Sequence, residues 1–248
     1  MKSTPVLSVL VFSEDSGEQV APALFALLKR MFQLLEPACG THRFEFLPAD
    51  EESRNALRGK VHAGPKPVAY RHRLLLAGKI ADQLAKIVPD GFVAYHADAD
   101  RRWSDRTEGD FPDFIRLRDV VVERLRVPRR GGVGNPSRVD RLLLLGAYWE
   151  LEAWLYQNLD VARALCREHG CGRHEVLFDE WELNRASLDD VKDTKDACCL
   201  RDRHNRALAE TAYPKDAAYE AGTSFAATVD RMRTCAALAE ALARTTGG

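Results

Sequence analysis

The chain has 248 residues, 46% of them apolar and 29% charged, with a formal net charge of −1. That is the balance of an ordinary soluble globular protein with enough chain to bury a substantial core, either one large domain or a domain with an appendage. It excludes a bulk-basic nucleic-acid binder, since any site for nucleic acid must be local or supplied by a partner, and it excludes a membrane span, for which no window is long and apolar enough.

The opening Met1-Lys2-Ser3-Thr4-Pro5 leads into seven apolar-rich residues, too short for a signal peptide. The six cysteines are scattered, with Cys198 and Cys199 adjacent, so no disulfide framework is expected and the cytoplasm is the default compartment.

Val6 to Phe12 reads as a buried strand. An acidic turn, Ser13-Glu14-Asp15-Ser16-Gly17-Glu18, separates it from a helical pattern carried by Leu24, Leu27, Leu28, Met31, Phe32 and Leu35 and ending near Pro37 and Gly40. Acidic residues at a helix start stabilise its dipole and cap free N–H groups, and Asp15 and Ser16 need no other duty. Glu14 and Glu18 stand equally well for a site, because open α/β sheets place their sites at the carboxyl ends of strands. Arg43 to Leu47 alternates and predicts a strand with one exposed face. Asp50 to Pro67 predicts a loop, and Val68 to Val88 a helix.

Gly91-Phe92-Val93-Ala94-Tyr95-His96-Ala97-Asp98-Ala99-Asp100 predicts a short buried strand, 92–95, running into a loop. In extended chain, residues i and i+2 project to the same side, so Asp98 and Asp100 can aim their oxygens at one point. Two carboxylates that close repel unless a proton or cation lies between them, and Mg²⁺ takes one or two carboxylates with water and phosphate completing its shell. A turn capped by two solvated aspartates fits the same residues.

A charged loop, 101–113, and a helix from Phe114 to about Leu125 follow. Arg126 to Arg138 then holds four arginines and three glycines. Glycine lets a backbone approach a ligand and arginine pairs with phosphate, so Arg129, Arg130 and Arg138 are candidates for a nucleic-acid backbone, against a plain surface loop. Val139 to Ala147 predicts a fourth strand, which runs into Tyr148-Trp149-Glu150-Leu151-Glu152-Ala153-Trp154 and a helix through Cys166. Glu152 beside two tryptophans needs a partner, a metal or a lysine. Cys166, His169, Cys171 and His174 fall within nine residues. Zinc knuckles come as two separated pairs, and a helix ending at Gly170 or Gly172 accounts for the stretch, so zinc is not expected. Residues 179–210 are charged and poor in strand signals, Tyr213-Pro214-Lys215 breaks them, and a last helix covers about Phe225 to Ala243.

The order strand, acidic turn, helix, strand, helix, strand, Asp-x-Asp, helix, strand, Glu resembles the TOPRIM fold of topoisomerases, primases and OLD-family nucleases. Glu14 takes the position of its glutamate, and Asp98 and Asp100 that of its paired aspartates. Glu14 and Glu18 are similar to the Glu-Gly-x-x-Glu of stand-alone members, except that Asp15 stands where glycine is usual. Glu150-Leu151-Glu152-Ala153-Trp154-Leu155, Tyr213-Pro214-Lys215 and a terminal helix are similar to compact bacterial TOPRIM-like proteins encoded beside an ABC- or OLD-type ATPase in systems resembling antiphage defence.

The resemblance implies an α/β, Rossmann-like domain over 1–165 with a mainly parallel sheet flanked by helices, and a helical extension, 166–248, packed on it. It implies a Mg²⁺-dependent (or Mn²⁺-dependent) nuclease in which Asp98, Asp100 and Glu14 hold the metal. Glu14 or Glu18 completes the site or acts on the attacking water, Glu152 serves a second metal, and Lys195 or Lys215 offsets transition-state charge. DNA is the expected substrate ahead of RNA, and an ATPase the expected partner. A catalytically degenerate module that binds a partner is the alternative; a phosphotransfer receiver or small phosphohydrolase ranks last, because Glu rather than Lys follows Leu145.

Overall fold

The computed structural model describes residues 7–13, 19–50, 66–87, 91–99, 102–106, 112–127, 134–148, 150–191 and 198–246. The apolar runs become strands of one sheet. In chain order, β1 (Leu7–Ser13) leads to α1 (Val20–Leu35), β2 (Phe44–Pro48), α2 (Lys66–Lys86), β3 (Gly91–Asp98), α3 (Pro112–Arg126) and β4 (Leu142–Ala147). The strands lie in the order β2-β1-β3-β4 and every pair is parallel. Parallel neighbours need long crossovers, which the intervening helices supply.

Successive residues of each strand face opposite sides. On one face Val9 and Val11 of β1, Phe92 and Ala94 of β3, and Leu143 and Leu145 of β4 join a core built on α1 and the C-terminal helices. On the other, Phe12, Val93, Tyr95 and Leu144 pack on α2 and α3 through Ile80, Leu84, Phe114 and Val121. A central strand buried on both faces has no polar side, which is why residues 92–95 show no alternation in sequence.

After β4 come α4 (Glu152–Leu155), α5 (Leu159–Glu168), α6 (Glu175–Leu183), α7 (Asn205–Glu210), α8 (Lys215–Glu220), α9 (Ser224–Arg233) and α10 (Ala236–Ala243). Their apolar faces, including Trp154, Phe178, Phe225, Met232 and Leu242, belong to the same core as the sheet. The extension is therefore helical and packed on the sheet, but a boundary at 165/166 falls inside α5.

Three expectations shift. The helix predicted through Cys166 is two, because Asn158 leaves the helical path and its Nδ2 donates to the carbonyls of Leu208 (2.8 Å) and Thr211 (2.6 Å). The terminal helix also divides, at Thr234 and Cys235. The fourth strand starts at Leu142 rather than Val139, since Pro136–Arg141 form a 3₁₀ turn with Pro136 at its start. The segment 51–65, expected as a loop, lies outside the described residues, as do Glu14, Glu18, Asp100, Arg129, Arg130 and Lys195.

Candidate functional site

Parallel pairing gathers the carboxyl ends of three strands at one rim. Ser13, the last residue of β1, pairs with His96 of β3, and Asp98, the last of β3, pairs with Ala147, the last of β4. The Ala99 N–H donates to the carbonyls of both Ala147 (2.9 Å) and Tyr148 (3.0 Å), so the strand end carrying Asp98 is clamped against β4. The Asp98 side chain keeps 21% of its surface exposed at this rim.

Directly beneath it lies a residue that belongs to no motif in the sequence. His96 is fully buried, with its Nε2 3.4 Å from Asp98 Oδ1 and its Nδ1 3.4 Å from Ser13 Oγ. Burial lowers its pKa to about 3, so near neutral pH the imidazole is uncharged and its contact with Asp98 is not an ion pair. A neutral ring carries one proton. With that proton on Nε2, facing a carboxylate that can only accept, Nδ1 is free to accept from the Ser13 hydroxyl. Its ring also meets Trp154 edge to face, with centroids 6.1 Å apart. The one signal for it in the sequence is the period of two along β3, which sends His96 to the same face as Ala94.

No family model matches the chain, and no curated protein or solved structure matches it either.

The remaining candidates are dispersed. Glu152, 9% exposed, points inward, and its Oε1 accepts from Asn205 Nδ2 at 2.9 Å. The partner its apolar setting demanded is thus an amide. Lys215 opens α8 with its Nζ on the Asp216 carboxylate, at 2.8 and 3.0 Å. Arg138 stands at the opposite, amino-terminal rim. Its guanidinium donates to the carbonyls of Leu84 (2.7 Å), Ala85 (3.0 Å) and Ile87 (3.2 Å), tying off the end of α2 just before β3. Among the described residues no three histidine or carboxylate ligand atoms lie within 4.8 Å of one another. A cavity of about 660 Å³ runs along the first half of β4, lined by Arg118, Leu143, Arg231 and Met232; it lies to one side of the rim.

Trp154 couples the rim to the helical layer. Its Nε1 donates to Ser224 Oγ (2.6 Å) and its carbonyl accepts from the Tyr213 hydroxyl (2.7 Å). The Ser224 N–H in turn donates to Asp189 Oδ2 (2.7 Å) at the start of α9. A buried carboxylate is well placed at a helix N-terminus, although burial raises the pKa of Asp189.

Proposed function

We propose that the carboxyl rim of the sheet is a divalent-cation site for phosphodiester hydrolysis, and that the protein is a metal-dependent nuclease acting with an ATPase in a defence system. The observation that supports this reading is the convergence of the ends of β1, β3 and β4, with Asp98 partly exposed between them. Asp98, with Glu14 and Asp100, would hold Mg²⁺ or Mn²⁺; these are the hard oxygen donors such ions take. A bound cation would supply a more acidic attacking water and stabilise charge on the phosphate oxygens.

The chain's own contribution is positional. The Ala99 clamp fixes the strand end. His96, held neutral, stands behind the carboxylate with its Nε2 3.4 Å from Oδ1, where an outer-shell donor to a metal ligand would stand. Arg129 and Arg130 remain the candidates for contact with nucleic acid, DNA ahead of RNA, whereas Arg138 is engaged with the carbonyls at the end of α2. The test is plasmid cleavage with Mg²⁺ or Mn²⁺, with and without the ATPase. Cleavage lost in Asp98→Ala supports the reading, and equal cutting by wild type and variant removes it.

The second reading, a degenerate module that binds a partner and cuts nothing, draws on the inward-facing Glu152 and on Lys215 bound to Asp216. Calorimetry separates the two, because such a module shows no carboxylate-dependent uptake of Mg²⁺ or Mn²⁺.

A further inference from the structure

The helix α5 ends in a Schellman motif. His169 is its C-cap, and Gly170 follows with φ +64°. The Gly170 N–H donates to the Arg167 carbonyl (2.9 Å) and the Cys171 N–H to the Cys166 carbonyl (3.1 Å). In this motif the side chains at the two ends of the longer bond meet, ordinarily as an apolar pair. Here both are cysteines. A third comes from 28 residues further along the chain: the sulfurs of Cys166, Cys171 and Cys199 all lie within 4.8 Å of one another.

We propose that Cys166, Cys171 and Cys199 form a site for a thiophilic divalent cation, Zn²⁺ by chemistry, with solvent in the fourth position. In a tetrahedral zinc–thiolate centre with Zn–S of about 2.3 Å, the sulfurs stand about 3.8 Å apart. The cluster needs little adjustment to reach that spacing. All six cysteines of the chain are free thiols, so none of the three is committed to a disulfide. Cys198, the neighbouring cysteine, is not one of the three whose sulfurs converge. No fourth histidine, cysteine or carboxylate donor among the described residues reaches all three sulfurs.

Two further features suit an ion. Three thiolates around Zn²⁺ leave a net charge of −1, and the exposed Arg173, two residues after Cys171, supplies a cation nearby. The same two segments are also joined by His169 and His204, whose Nε2 atoms are 2.7 Å apart. The cation would therefore pin the end of α5 to the 198–204 segment, a clasp within the helical layer and separate from the acidic rim.

The experiment is a titration of the full-length, reduced, metal-stripped chain with Co²⁺, followed by Zn²⁺. One Co²⁺ per chain with an intense sulfur-to-cobalt charge-transfer band, displaced by one equivalent of Zn²⁺, is expected. Cys171→Ser and Cys199→Ser replace half-exposed thiols and leave the core filled, so their far-ultraviolet circular dichroism should match wild type. Each should weaken binding by about a hundredfold, while Cys235→Ser leaves it unchanged. Absence of the band, or equal binding by the Cys171 and Cys199 variants, overturns the proposal. So does a reduced protein that takes up no metal but forms a Cys171–Cys199 disulfide in air.

Discussion

The burial of His96 has a measurable price in acid. In the folded chain its pKa is lowered to about 3, while in the unfolded chain it returns to about 6.5. Between those values the unfolded state binds a proton that the folded state refuses, so stability is fully present above pH 6.5 and falls as pH drops toward 3. Going from pH 7 to pH 5, this one group should remove about 2 kcal/mol. Urea unfolding of wild type and His96→Gln at the two pH values isolates it. Glutamine keeps a hydrogen-bonding end for Ser13 and Asp98 but cannot take up the proton, and all other titrations cancel in the comparison. Wild type should lose about 2 kcal/mol more than the variant between pH 7 and pH 5. If both lose the same amount, the imidazole is charged or wet in the folded protein and the account of the rim above it is wrong.

Other substitutions probe the frame. Asn158→Ala strands two carbonyls, those of Leu208 and Thr211, and should cost about 2–4 kcal/mol by urea unfolding. Arg138→Ala removes the tie at the end of α2; it should lower stability by about 1 kcal/mol and leave nucleic-acid affinity unchanged in a filter-binding titration, whereas a drop in affinity would place this guanidinium on the ligand. Gly134→Ala drives a methyl group into the Arg126 carbonyl and should cost about 1–3 kcal/mol, read as a lower thermal midpoint.

The layers were legible because apolar runs and helical periods are local. Residues 6–12, 92–95 and the apolar run within 139–147 announce strands, and Leu24 to Leu35 a helix, without reference to the rest of the chain, although the fourth strand starts at Leu142, three residues later than expected. The break at Asn158 was not legible, because its cause is two carbonyls 50 and 53 residues away. His96 was hidden inside an apolar run, where only the strand period and the neutralising effect of burial give it meaning. The need of Glu152 for a partner could be read from its setting, but not that Asn205 would meet it. The cysteine stretch near α5 reveals only its own spacing, and Cys199 enters through tertiary packing alone.

The helices after β4 share one apolar interior with the sheet, and this limits how the molecule can be dissected. A chain truncated near residue 165 would bare Val9, Val11, Ala94 and Leu145 to water along with the inner side of α1. Such a fragment should aggregate rather than fold as a minimal catalytic unit. Activity, metal uptake and partner binding therefore all have to be measured on the whole chain, and a lesion in the last helix should be felt at the strand ends through a common melting transition.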